Sequence, residues 1–155
     1  MKHVSGLLRI GLTIIAIALA GSFASAQERQ VKAKDVPVAV RTAFKAAYPN
    51  ATIKGYAREK ENGKTFYEIE STEGATGRDV LYNPDGSVAE VEETIALSDL
   101  PTAVQEAIRT KYPNAAVRSA EKTVTGDKVS YDVIVKNGRR RLELEFDADG
   151  NLKQK

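Results

Sequence analysis

Val36-Pro37-Val38-Ala39-Val40 and Tyr48-Pro49-Asn50-Ala51 recur as Leu100-Pro101-Thr102-Ala103-Val104 and Tyr112-Pro113-Asn114-Ala115, an offset of 64 residues. The same offset runs on without a gap: Lys64 falls on Lys128, Tyr67 on Tyr131, Gly74 on Gly138, and Asp85-Gly86 on Asp149-Gly150. Similar residues keep the register at Ile53/Val117, Ile69/Val133, Val80/Leu144, Tyr82/Phe146 and Val88/Leu152. Self-similarity held over a whole unit marks a duplicated structural element. It divides the chain into one copy at 27–91 and a second at 92–155.

Each copy opens with a helical pattern. Val36, Val40, Phe44 and Ala47 stand at helical spacing, and Leu100, Val104, Ile108 and Lys111 repeat them with only the last position polar. Asp35 and Asp99 are candidate N-terminal caps, and Pro37 and Pro101 are tolerated in a first turn. Tyr48-Pro49 and Tyr112-Pro113 end the helices, because a residue before proline is pushed out of the helical region.

Alternating segments separated by turn signals follow, the pattern of antiparallel strands. Asn62-Gly63 suits a two-residue hairpin, in which both central residues need positive φ. Asn83-Pro84-Asp85-Gly86-Ser87 fits a three-residue loop with glycine in the left-handed position, which sets Tyr82 opposite Val88, and Phe146 and Leu152 repeat that pairing. The expected fold class is therefore α+β: two tandem repeats, each a helix packed on an approximately four-stranded antiparallel sheet. A unit of about 60 residues is marginal alone, so the two are expected to share a continuous sheet or pack side by side.

Residues 1–26 have the three parts of a secretory signal: Lys2 and Arg9, an apolar run from Ile10 to Ala20, and Ala24-Ser25-Ala26 before Gln27. A membrane span needs about twenty apolar residues, so this run is too short for a stable anchor. The expectation is a periplasmic or secreted protein, with no stable membrane insertion after cleavage. Of the full 155 residues, removal of these 26 leaves 129, with 21 Lys and Arg against 21 Asp and Glu.

That remaining chain contains no His, Cys, Met or Trp. Ser-His-Asp and Cys-His catalysis, thiolate or imidazole zinc sites and disulfides are thereby excluded. Zero net charge argues against a nucleic-acid partner, which would need a basic excess. No cofactor and no catalytic residue is expected.

A helix ending in Tyr-Pro-Asn-Ala, a Tyr67-Glu68-Ile69-Glu70 strand and an Asp-Gly hairpin, duplicated behind an export signal, resemble the PepSY-like family, itself described as similar to beta-lactamase inhibitor proteins. The resemblance covers nearly the whole chain after residue 26. It implies a helix-on-antiparallel-sheet fold, an extracytoplasmic setting and a binding or inhibitory role. Beta-lactamase inhibitor proteins carry disulfides, and this chain has no cysteine.

Three features carry candidate sites. Asp147-Ala148-Asp149-Gly150-Asn151 resembles the opening of a calcium loop but lacks the closing Glu, and an Asp-Gly hairpin turn explains it better. The Arg139-Arg140-Arg141 run could grip an anion, yet Glu143 and Glu145 follow closely enough to screen it. The third is the sheet face turned away from the helices. If Tyr67, Ile69, Tyr131, Val133, Leu142 and Leu144 face the helices, the opposite parity carries Phe66, Glu68, Glu70, Asp79, Leu81, Asp132, Ile134, Glu143 and Glu145. Glu68, Glu70, Glu143 and Glu145 are expected to meet solvent at ordinary protonation, which leaves little for acid–base catalysis. Large apolar groups among acids are what a protein-binding surface tends to hold, unless a segment such as Ile95-Ala96-Leu97 covers them. The expected partner-binding residues are Phe66, Glu68, Glu70, Leu81, Asp132, Ile134, Glu143 and Glu145, for a protein or peptide partner. The expected function is an exported, non-enzymatic binding protein that inhibits or modulates an extracytoplasmic enzyme. The alternative is a calcium or other cation sensor or stabiliser.

Overall fold

The computed structural model describes residues 27–153. The segment read as an export signal lies outside the described residues. Strand β1 (Gln27–Gln30) leads through a 3₁₀ turn (Ala33–Asp35) into helix α1 (Val38–Ala47) and strands β2 (Thr52–Glu61), β3 (Lys64–Glu73) and β4 (Thr76–Tyr82). The order then repeats as β5 (Val88–Ile95), a 3₁₀ turn (Leu97–Asp99), α2 (Thr102–Lys111), β6 (Ala115–Thr125), β7 (Lys128–Asn137) and β8 (Arg140–Asp147). The helices, both 3₁₀ turns and the pair β3/β7 begin and end 64 residues apart, so the sequence period is also the structural one.

Of the two expected ways of joining the repeats the continuous sheet is the one found, and the expectation of a sheet of about four strands for each repeat is corrected to a single sheet. The strands form one antiparallel sheet of eight in sequence order, β1 to β8. The joint is β5, which returns from the Asn83–Ser87 turn to pair with β4 (Val80↔Val91, Leu81↔Glu90) and then pairs with β6 through Val91–Ile95. Either repeat alone would leave a row of unpaired backbone groups at this edge. One shared strand satisfies both. The sequence boundary between residues 91 and 92 falls inside it.

Asp35 and Asp99 are not the helix caps. Both close the 3₁₀ turns, and the N-caps are Pro37 and Pro101, neither with a side-chain cap hydrogen bond. Side chains of the first turn fold back onto the segment before each helix: Arg41 donates to the Val36 carbonyl and Gln105 to that of Leu100. Ala47 is exposed, so the buried stripe is Val40 and Phe44 of α1 together with Val36 just before it.

Two hydrophobic clusters lie under the two helices. Val40 and Phe44 pack on Ile69, Val80 and Tyr82, while Val104 and Ile108 pack on Ala120, Val133, Val135, Leu144 and Phe146. Tyr67, Ile69, Tyr131, Val133, Leu142 and Leu144 all belong to these clusters, as their alternation required. Each fully buried side chain of this size contributes roughly 1.5–3 kcal/mol.

The hairpins follow the turn chemistry. Asn62 and Gly63 take φ of 50° and 77°, the two left-handed positions of the β2–β3 turn. Tyr82 pairs with Val88, and Phe146 bridges Leu152. At Gly86 and Gly150 the φ values are 89° and 83°, and a Cβ would lie 2.9 Å from the Ala39 carbonyl oxygen and 2.6 Å from that of Ala103. Glycine recurs there because the hairpin must touch the first turn of the helix as well as bend.

Candidate functional site

Strand parity and register put one family of side chains on the sheet face opposite the helices. Across the sheet, Glu28 pairs with Glu59 and Glu59 with Phe66. The next row runs Gln30, Ala57, Glu68, Leu81, Glu90. Beyond it lie Gly55, Glu70, Asp79, Glu92, Thr123, Ser130 and Asp147. The following two rows are Thr94, Glu121, Asp132, Glu145 and then Ser119, Ile134, Glu143. Facing residues in such ladders stand about 4.5–5.5 Å apart. No Lys or Arg occupies these central row positions; the basic residues of this face stand at its ends, Lys64 opposite Glu61, Lys128 opposite Thr125, and Lys136 opposite Arg141. Arg58, Lys60, Arg78 and Lys122 have the opposite parity and turn to the helix side.

The structure thus places Phe66, Glu68, Glu70, Leu81, Asp132, Ile134, Glu143 and Glu145 on one face. It does not bring them into one patch: the first four stand on β3 and β4, the others on β7 and β8, with β5 and β6 between. The gap is filled by Glu90, Glu92 and Glu121, which together with Glu28 and Glu59 were missed from sequence. Glu121 beside buried Ala120, and Glu90 and Glu92 flanking the core-packed Val91, carried the alternation that would have found them. Phe66, Leu81 and Ile134 are half-buried. Ile95 packs into the second core and Leu97 is exposed, so this segment joins the helix side and does not cover the face.

Ordinary protonation does not hold for Glu68. Burial, the neighbouring Asp79 charge and contact with Glu59 push its carboxyl far above the usual range. Glu92 is raised as strongly, by burial and by contact with Glu121 and its charge, with Asp132 and Asp79 beyond. Burial first, then the Glu70 and Glu121 charges, lift Asp79 to about 7. Glu59 is 5% exposed, and its burial outweighs the opposing effect of a hydrogen bond with Glu68. Carboxylates crowded at strand spacing cannot all be ionised, so this face holds protons at neutral pH. Raised carboxyls can serve as general acids. Here, however, they contact one another in pairs.

The rim is neutralised. Arg141 pairs with Glu143 at 2.9 Å and Lys153 with Glu145 at 2.7 Å, so the end of the arginine run closes a local ion pair. In the loop after β8, Asp147 Oδ1 accepts hydrogen bonds from the amides of Asp149 and Asn151, and Oδ2 accepts one from the Asn151 side chain. These contacts hold the Asp147 carboxyl below its ordinary range and commit both its oxygens to the turn. Asp85 is held low in the same way by Ser87 in the first repeat. Among the described residues, no group of three or more Asp and Glu side chains has the arrangement to hold a metal ion.

On the helix side, Arg78 lies 4.0 Å from the Tyr48 ring centre and pairs with Glu73 and Glu93. It ties the end of α1 to β3, β4 and β5. Its repeat mate is Leu142, so sequence periodicity gave no sign of it.

The model of the family described as "Putative beta-lactamase-inhibitor-like, PepSY-like" matches residues 23–89 and again 67–154, nearly the whole described chain. The chain belongs to the PepSY-like family. Solved structures share the fold of this PepSY-like protein. A Bacteroides eggerthii protein described as "putative periplasmic" aligns with a TM-score of 0.63 at 18% identity, covering 77% of this chain and 86% of that one. A DUF2874 family protein of Bacteroides ovatus gives 0.60 at 21% identity, over 77% and 86%. A BLIP-like protein of Bacteroides fragilis gives 0.57 at 24% identity, over 76% and 84%. No curated protein matches the sequence. Among the described residues, no helix of this PepSY-like protein is long and apolar enough to cross a membrane.

Proposed function

We propose that this PepSY-like protein is an exported, non-enzymatic binding module whose sheet face docks a basic protein or peptide and so restrains or modulates an extracytoplasmic partner. One observation carries the reading: acids from β1 through β8 line a single face, with half-buried Phe66, Leu81 and Ile134 set among them. Charge of one sign steers an oppositely charged partner, and the apolar groups supply desolvated contact once it is seated. The family description as beta-lactamase-inhibitor-like supports a binding role over a catalytic one, and the description of the Bacteroides eggerthii neighbour as "putative periplasmic" supports the setting.

The test is affinity capture from the cell envelope with the protein and with a Phe66→Ala, Ile134→Ala double variant, followed by an activity assay on what is retained. A basic partner held by the wild type, lost with the variant and altered in activity on binding is the expected result. Equal retention by both proteins, with both shown folded, removes this face from the function.

A further inference from the structure

The acids of the sheet face are arranged so that ligand binding and proton release are linked. Glu59 on β2 is 5% exposed, and its Oε1 has no hydrogen-bond donor. Its hydrogen bond with Glu68 exists only while one of the two carboxyls carries a proton, because an ionised carboxylate only accepts. The charges that act on this pair are acids, Glu28 on β1, Glu61 on β2, Asp79 on β4 and Glu90 on β5, and the one basic group near it on this face is Lys64 on β3, which stands opposite Glu61. Glu92 on β5 meets Glu121 on β6 in the same way, with Asp79 on β4 and Asp132 on β7 beside it. No basic side chain stands in the rows between the two pairs to take the place of these protons.

We propose that this face is a proton-linked docking surface for an extended segment bearing several Arg or Lys side chains, which displaces the protons held between Glu59 and Glu68 and between Glu92 and Glu121 as it binds. The inference rests on the docking reading above and specifies its ligand and its control. Charge complementarity selects the ligand, and Glu59, whose buried Oε1 lacks a donor, supplies an unmet acceptor on this face. On binding, a carboxylic O–H bond breaks, its electron pair stays on the carboxylate, the proton passes to solvent, and a guanidinium or ammonium N–H becomes the new donor. Affinity therefore rises with pH, roughly tenfold per pH unit for each proton released.

Hexa-arginine is the probe, titrated calorimetrically into the full chain at pH 7 in two buffers of different ionisation enthalpy, and again at pH 6 and 8. The expected result is release of roughly one to two protons per peptide, tighter binding at pH 8 than at pH 6, and loss of most of the release in a Glu68→Gln, Glu92→Gln variant. Both substitutions keep shape and remove repulsion, and a thermal melt confirms folding. Binding with no buffer-dependent heat and no pH dependence overturns the proton linkage while leaving the docking reading intact. Release unchanged in the double variant also overturns it, because the protons then come from elsewhere. Absence of binding at all three pH values removes both.

Discussion

Asp79→Asn, at the centre of the acidic face, is expected to stabilise the protein at pH 8. Asp79 stands directly opposite Glu70 on β3 and Glu92 on β5, and its carboxyl is lifted from 3.8 to about 7. That difference of about three units corresponds to about 4 kcal/mol if none of it is screened. Asp79 keeps part of its contact with water, so screening reduces the effect to about 1–2 kcal/mol. For a domain of this size that is about 3–8 °C in Tm. A group whose folded pKa is raised gives stability that is complete below its unfolded pKa and is lost as pH climbs through the folded value. The wild type should therefore lose stability between about pH 4 and pH 7, with Glu68 and Glu92 extending the loss to higher pH. Asn carries no charge to lose. Thermal unfolding followed by circular dichroism at pH 8, 6 and 4 should show the variant's advantage largest at pH 8 and gone at pH 4. An equal gain at all three values would mean that charge is not its source, and a loss at pH 8 would mean that Asp79 is not repelled by its neighbours.

Further outcomes follow from the cores and turns. Tyr82→Phe should leave stability unchanged or raise it by up to about 1 kcal/mol in chemical denaturation, because the buried hydroxyl has no partner and the second repeat already carries Phe146 there. Gly150→Ala should cost about 2 kcal/mol or more in the same assay, since the methyl would meet the Ala103 carbonyl oxygen and the φ of 83° is left-handed. Val104→Ala, emptying a fully buried position of α2, should cost about 2 kcal/mol without altering capture of a partner. Arg78→Ala should destabilise the protein by about 1–3 kcal/mol, because Tyr48, Glu73 and Glu93 all lose their contact, and the loss should change little with salt if the ring contact dominates.

The duplication, both helices, the hairpin turns and the inward side chains were legible in the sequence because each depends on spacing within a few residues. Val40 and Phe44 four apart, Asn62-Gly63 in a two-residue turn, and Tyr67 alternating with Glu68 are local facts. A constant offset of 64 residues then carried them from one copy to the other. The cap positions at Asp35 and Asp99 were misread because a 3₁₀ turn and a helix start share the same residue preferences, and only backbone geometry separates them.

What the tertiary structure decided was how the copies join and what their shared face becomes. Strand β5 belongs to one repeat by its turn and to the other by its register, a double role that no alignment of the chain with itself expresses. Once it pairs on both sides, Glu90, Glu92 and Glu121 close the gap between acids that sequence parity had placed in separate copies. The joined face withdraws Glu68, Asp79 and Glu92 from water and sets like charges against them, so the protonation of these three departs from the values that isolated, solvent-facing carboxylates would have. The type of each side chain and its face are written locally. Its neighbours across the sheet, and hence its charge at neutral pH, exist only after distant strands have paired.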